Sequence, residues 1–417
     1  MLFLRSPGSS RWLLVTCSVL ILIQSCAVET RNALPLQEAA KIILIIGDGM
    51  DDQQITIARN YLSGSSGQLK LDEAPFRGAV HVETMAEDGS GQTVYVADSA
   101  SSGTAMATGV VTSLGRIATT AATDERVPTI MELAQIAGMG TGIVTTSSLT
   151  DATPASFVAH INRRYCQGPA DMVSTLQPVG IPVNCSQYFK TNGERGSIAE
   201  QIAASDIDIL FGGGTQYFEQ FAEGSSTISV IDEAVANGYQ VIRTDSELAN
   251  TNRNNKVLGL FSPSTMPVRW RGVGAQLVEK VDDEVQLPAA YSCEPNPRYS
   301  GMPSLADMTA VALNHFEESA SFMLMVESAS IDKQSHVRRP CGSIGELAQL
   351  NEALAVALEY AQSHPETLIL ITADHAQAAQ MLTPEGSFLP LNFSSPGYFA
   401  RVLTPEGSIM GVNYATN

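Results

Sequence analysis

The stretch Asp98-Ser99-Ala100-Ser101-Ser102-Gly103-Thr104-Ala105-Met106-Ala107-Thr108-Gly109 consists almost entirely of small and hydroxyl side chains. It follows Gln92-Thr93-Val94-Tyr95-Val96, a run rich in β-branched residues. A β-branched run that gives way to an Ala-rich, unbranched one predicts a strand, a sharp turn and a helix. Ser99 then falls at or just before a helix N-terminus, where free N–H groups and the positive dipole end favour an anion. The small residues after it let a substrate or a metal approach the backbone closely. The plainer reading is a tightly packed helix start with Ser99 as its cap, and the rest of the chain decides between the two.

Outward from this stretch, strand and helix patterns alternate. Residues 41–46, Lys41 followed by five Ile and Leu residues, form a run rich in β-branched residues, the pattern of a strand buried on both faces, and lead through Gly47-Asp48-Gly49-Met50 into a helix over 53–62. Short strands such as 79–82 are expected in the Gly/Ser-rich segment that follows. Further helices are predicted near 129–137, 197–204, 305–318 and 343–363, and strands at 142–146, 208–211, 322–327 and 367–372. Gly212-Gly213-Gly214 reads as a tight turn at a strand end, and 231–242 as one more αβ unit. From there to about residue 303 the sequence is polar and poorly patterned. The alternation predicts an α/β fold with a doubly wound, mostly parallel sheet and helices on both faces.

Acidic residues outnumber basic ones, 43 to 24, for a formal charge of −19. That disfavours binding to a nucleic-acid backbone, which needs clustered Lys and Arg. At the N-terminus, Arg5 and Arg11 precede an apolar run over 12–23 that is short for a membrane span and is followed by Ser25-Cys26. This is the layout of a secretory signal over residues 1–26. Ile23-Gln24-Ser25-Cys26 also resembles a lipobox, which would make Cys26 a lipid anchor. An exported, periplasmic or membrane-anchored catalytic domain over 27–417 is expected. With Cys17 and Cys26 in the leader, Cys166, Cys185, Cys293 and Cys341 remain. Four cysteines allow three pairings, and proximity in the chain favours Cys166–Cys185 with Cys293–Cys341.

Several predicted strands end in residues suited to cations: Asp48, Asp98 with Ser99, Asp151 with Thr153, Glu327, and Asp374 with His375. In an open α/β sheet the carboxyl ends of the strands form the ligand crevice. Asp332 and His336 are one helical turn apart and so share a face. Neutral imidazole with carboxylate suits zinc, whereas oxygens from Asp48, Thr153 and Glu327 suit magnesium.

Gly47-Asp48-Gly49-Met50, Asp98-Ser99-Ala100, Asp151-Ala152-Thr153-Pro154, the segment from Glu327 through Asp332-Lys333-Gln334-Ser335-His336, and Thr372-Ala373-Asp374-His375 resemble the bacterial alkaline phosphatases. The resemblance runs from about residue 41 to the chain end, in the family's order and spacing. It implies that Ser99 is the nucleophile and becomes phosphorylated, with Asp98 helping to position the site. It also implies that Asp48, Asp374 and His375 hold one zinc ion, which lowers the pKa of the Ser99 hydroxyl. Asp332 and His336 would hold a second zinc that stabilises the leaving oxygen and activates water. Arg164 matches the arginine that clamps two phosphate oxygens. Asp48, Thr153 and Glu327 match the magnesium ligands, with Asp151 and Lys333 acting behind them. The four cysteines match the family's two disulfides, in the same proximal pairing.

One departure stands out. The family's second zinc takes a third ligand, a histidine well downstream of the Asp-His pair, and no histidine follows His375 here. The chain is therefore expected to lack the family's C-terminal segment and to carry one incomplete zinc site. The expected function is zinc- and magnesium-dependent hydrolysis of organic phosphate monoesters through a phosphoserine, by an enzyme that the family resemblance makes a homodimer. The alternatives are a phosphodiesterase of the same superfamily and a non-catalytic remnant that binds phosphate or metal.

Overall fold

In the run Lys41-Ile42-Ile43-Leu44-Ile45-Ile46, alternate side chains enter two different cores. Ile43 and Ile45 pack with Val144, Phe211, Leu324 and Val326, whereas Leu44 and Ile46 pack with Ile143, Leu210, Met323 and Met325. Such a strand is buried on both faces and needs a helical layer on each. The computed structural model supplies both layers. It describes residues 40–174, 183–278, 288–382 and 397–414.

Seven strands form the central sheet: β1 (Lys41–Gly47), β2 (Gly140–Ser148), β3 (Ile209–Gly213), β4 (Tyr239–Ile242), β5 (Lys256–Leu260), β6 (Phe322–Ser328) and β7 (Thr367–Ala373). Their spatial order is β7-β1-β6-β2-β3-β5-β4, and every pairing is parallel. The helices that matter for the site are α1 (Asp52–Ser63), α2 (Ser99–Thr108), α3 (Ala152–Ser156), α4 (Leu305–His315), α5 (Ser330–His336) and α6 (Pro340–Ser363). Ala100 and Ala107 of α2 and Ala152 and Ala155 of α3 line one core. Ala58 of α1, Leu305 and Met308 of α4, and Leu347, Leu350 and Leu354 of α6 line the other. The doubly wound parallel sheet expected from the alternation is therefore present.

The boundaries of the predicted strands 41–46, 142–146, 322–327 and 367–372 hold to within two residues. Three details differ. The run over 92–96 does not join the central sheet: only Thr93–Val94 is a strand, and it pairs antiparallel with Thr84–Met85. Tyr95 and Val96 are exposed, so the β-branched pattern there reflects local propensity rather than burial. Residues 79–82 form no strand. Conversely β5, inside the stretch read as poorly patterned, is a central strand. Gly259 weakens its pattern, yet a side chain there would press against the rings of Phe211 and Phe261, its Cβ coming within 2.8 Å of both.

Beyond β7 the chain leaves the parallel sheet. Ala379–Leu382, Gly397–Leu403 and Ile409–Tyr414 join Gln276–Val278 in a four-stranded antiparallel sheet. Two disulfides are present, Cys166–Cys185 and Cys293–Cys341. The described residues form one compact unit. The predicted leader with Cys17 and Cys26 lies outside the described residues. Among the described residues no helix is long and apolar enough to cross a membrane.

Candidate active site

Strands β7, β1, β6 and β2 are neighbours and run parallel, so their carboxyl ends open onto one edge of the sheet. Asp48 leaves β1, Asp374 and His375 leave β7, Glu327 is the penultimate residue of β6, and Asp151 and Thr153 follow β2. Ser99 arrives differently, at the first position of α2, which packs on α3 and is not preceded by a strand of the central sheet. Asp98 caps α2 by accepting from Ser101 N at 3.0 Å.

Ser99 is 6% exposed. Its Oγ lies 3.4 Å from Asp48 Oδ1 and 3.2 Å from His375 Nε2. Asp374 Oδ1 accepts from Gly49 N and His375 N, each at 2.9 Å. Asp374 Oδ2 is buried and has no hydrogen-bond partner among the described residues. Asp48, Asp332 and His375 each bring a ligand atom within 4.8 Å of the others. Burial, reinforced by Asp374 and Asp332, pushes the Asp48 carboxyl well above the usual carboxylate range. An orphaned carboxylate oxygen among crowded carboxylates and a histidine is the environment that a divalent cation satisfies.

Asp332 and His336 do share a face of α5, with His336 Nε2 3.3 Å from Asp332 Oδ2. The other histidines lie elsewhere. His81 is exposed beside Glu83, His160 is buried against Ala118 O and Glu132, His315 meets the edge of Phe316, and His364 stacks on Tyr360.

Arg164 reaches across from the loop after α3. Its Nη1 donates to Asp98 Oδ2 at 3.1 Å and its Nη2 to Asp151 Oδ1 at 3.0 Å. Burial works against the guanidinium charge, but Asp151 and Asp98 outweigh it and hold the group firmly charged. Lys333 Nζ binds the other oxygen of Asp151 at 2.6 Å. Burial would raise Asp151, yet Lys333 and Arg164 pull it far below its ordinary value. Glu327 accepts from Thr145 Oγ1 and, at 3.2 Å, from Ser147 Oγ, and Thr153 hydrogen-bonds it too. Burial raises Glu327 to about 7.

Three supporting residues escaped the sequence reading. Thr145 and Ser147 hold Glu327, and Gln377 donates to Asp332 Oδ1. A hydroxyl in a strand or an amide in a loop carries no chemical signature until its partner is in place. The proximity of Gln377 to the Asp-His pair was the one available cue.

A deep cationic fork, a hydroxyl at a helix start and a ring of carboxylates suit a tetrahedral phosphate dianion whose bond to oxygen is cut. Fold and site together define a phosphoester hydrolase. A family model described as alkaline phosphatase matches residues 39–392. The chain belongs to the alkaline phosphatase family and is a phosphomonoester hydrolase. It is 40% identical over 385 residues to the streptomycin-6-phosphate phosphatase of Streptomyces griseus, covering 90% of this chain and 80% of that protein. It is 39% identical over 363 residues to the alkaline phosphatase of Escherichia coli strain K12, covering 85% and 74%. Among solved structures, the enzyme from the Antarctic bacterium TAB5 shares the fold with a TM-score of 0.60 at 23% identity, covering 90% of each chain. The Thermus thermophilus alkaline phosphatase gives 0.61 at 24%, covering 82% of this chain and 61% of that one.

Proposed function

We propose that the chain hydrolyses phosphate monoesters through a phosphoserine at Ser99, with zinc and magnesium bound at the strand ends. The observation that carries this reading is the placement of Ser99 Oγ at the start of α2, within 3.4 Å of Asp48 and 3.2 Å of His375. Asp48, Asp374 and His375 would hold one zinc, Asp332 and His336 a second, and Asp48, Thr153 and Glu327 a magnesium. When bound, these ions supply charge stabilisation of the reacting oxygens and lower the pKa of the attacking hydroxyl. Asp374 Oδ2, buried without a hydrogen-bond partner among the described residues and 3.5 Å from His375 Nε2, supports a cation at the first position. Among the described residues the second position has two protein ligands, where a catalytic zinc normally has three.

Ser99 Oγ attacks phosphorus and the bond to the ester oxygen breaks, leaving the phosphoryl group on the serine. Water then displaces Ser99 and releases inorganic phosphate. Throughout, Arg164 holds two non-bridging oxygens with its fork, kept in orientation by Asp98 and Asp151. The N–H groups at the start of α2 add positive potential at the same place. Lys333 keeps Asp151 ionised from behind.

The two disulfides support an oxidising compartment, so we place the enzyme outside the cytoplasm, with residues 1–26 as its export signal and Cys26 as the candidate lipid anchor. The exposed apolar side chains of Phe76, Val80, Tyr95 and Val96 support pairing with a second copy. Substrates to compare are simple aryl and alkyl monoesters, phosphodiesters and a phosphorylated aminoglycoside, since one relative is named for streptomycin 6-phosphate. Acid-quenched labelling with radioactive phosphate tests the mechanism. Label is expected on Ser99 and should vanish in Ser99→Ala along with most turnover. Label on another residue, or full turnover in the variant, overturns the proposal.

A further inference from the structure

Glu346 lies in α6 and is 1% exposed, yet it touches none of the residues assigned to phosphate or metal above. Its Oε2 accepts from Thr146 Oγ1 at 3.0 Å and Ser328 Oγ at 3.4 Å, and its Oε1 accepts from Gln349 Nε2 at 2.7 Å. Ser328 Oγ also reaches the Glu346 carbonyl oxygen at 3.0 Å. Thr146 Oγ1 in turn accepts from Ala329 N at 3.0 Å. Gln349 is itself fixed, its Oε1 accepting from Tyr299 OH at 2.7 Å and Leu305 N at 3.2 Å. A buried carboxylate is costly unless donors surround it, and here Thr146 and Ser328 come from β2 and β6, whose ends border the site, while Gln349 comes from α6 itself.

The strand register explains why this matters. Glu327 of β6 stands opposite Thr145 of β2, and both side chains face the reaction crevice. Side chains alternate along a strand, so the next residue on each, Ser328 and Thr146, faces the opposite way, toward α6. Glu346 thus grips from behind the two strand ends whose front faces carry Glu327 and the hydroxyl that holds it. Through Thr146 it is also linked to Ala329 N, where β6 turns into the helix bearing Asp332, Lys333 and His336. Magnesium demands near-ideal octahedral geometry at about 2.0–2.1 Å, so a small change in the spacing of β2 and β6 would be felt at the ion.

We propose that Glu346 is a positioning residue for the magnesium site, setting the separation of β2 and β6 through Thr146 and Ser328. This rests on the reading of Glu327, Thr153 and Asp48 as magnesium ligands. The test is calorimetric titration of magnesium into zinc-loaded full-length protein, comparing wild type with Glu346→Gln, Thr146→Val, their double variant and Glu327→Gln. Thermal melting is recorded for each. Glu346→Gln should raise the magnesium dissociation constant by about 10-fold or more, the scale seen for residues that support metal ligands. Zinc content is measured alongside, and the loss of magnesium affinity should exceed any loss of zinc. Thr146→Val should act in the same direction, and the double variant should be little worse than either single one. A constant within about twofold of wild type in Glu346→Gln, with binding lost in Glu327→Gln, overturns the role of Glu346 alone. Unchanged binding in Glu327→Gln overturns the magnesium reading and this proposal with it. An effect that appears only in variants with depressed melting temperatures shows general packing and also overturns the assignment.

Discussion

At the scale of single residues, the site depends on groups that have no freedom to substitute. Arg164 is oriented by two carboxylates, so the fork proposed to hold phosphate is fixed in place in advance. Arg164→Ala should weaken inhibition by inorganic phosphate and cost about 1.5–3 kcal/mol, the usual range for hydrogen bonds to a charged group. Competitive inhibition assays read this directly, and unaltered inhibition would count against the clamp. Gly49 is constrained in another way. It has φ near +67°, and a Cβ there would sit 3.0 Å from the Cβ of Asp332, while its N–H holds Asp374. Gly49→Ala should therefore cost about 1–2 kcal/mol of stability from the left-handed backbone alone. It should also lower zinc retention by pushing Asp332 aside, as metal analysis after dialysis would show.

At the scale of elements, local signals and packing agree for most of the chain. β1 reads as a strand buried on both faces, and Ile45 is 0% exposed between its neighbours. Ile45→Ala should cost about 2–5 kcal/mol in chemical denaturation, the range for emptying a core site of that size. The short turn Lys70–Glu73 is tied to α1 by Arg59, whose Nε and Nη2 donate to the two oxygens of Asp72 at 2.8 and 2.6 Å. That pairing with Arg59 pulls Asp72 down to about 2 from 3.8. A carboxylate depressed in the folded state contributes its stability in full above its unfolded value and loses it as pH falls through the folded value. The contribution should therefore be complete above pH ~4 and vanish toward pH ~2. Asp72→Asn should lower stability at neutral pH by about 1 kcal/mol and flatten the loss between those limits, which pH-dependent melting would show. Where element reading failed, the cause was local. Gly259 masks β5 because its missing side chain makes room for two phenylalanine rings, and Gln92-Thr93-Val94-Tyr95-Val96 has strand propensity but finds only a two-residue pairing with Thr84–Met85, outside the central sheet.

At the scale of the whole molecule, the strand ends gather carboxylates that repel one another until a cation joins them. Removing divalent ions with a chelator should lower the melting temperature, and adding zinc back should restore it. A ligand at 100 times its dissociation constant contributes about 2.7 kcal/mol, an effect scanning calorimetry resolves easily. An unchanged melting temperature after complete metal removal would contradict a metal-bound native state. Much of this molecule is legible in its sequence. Buried strands, alternating helices and the clusters at Asp48, Ser99, Asp151, Glu327, Asp332 and Asp374 follow from periodicity and residue chemistry, which act over a few neighbours. The tertiary structure alone decided the strand order β7-β1-β6-β2-β3-β5-β4, because register and adjacency depend on which apolar faces meet far along the chain. It alone decided that Asp48 and His375 converge on Ser99, and that Glu346, Gln377 and Thr145 stand behind the site. A hydroxyl, an amide or a buried carboxylate takes its meaning from its partner, and those partners lie from 18 to 200 residues away in sequence.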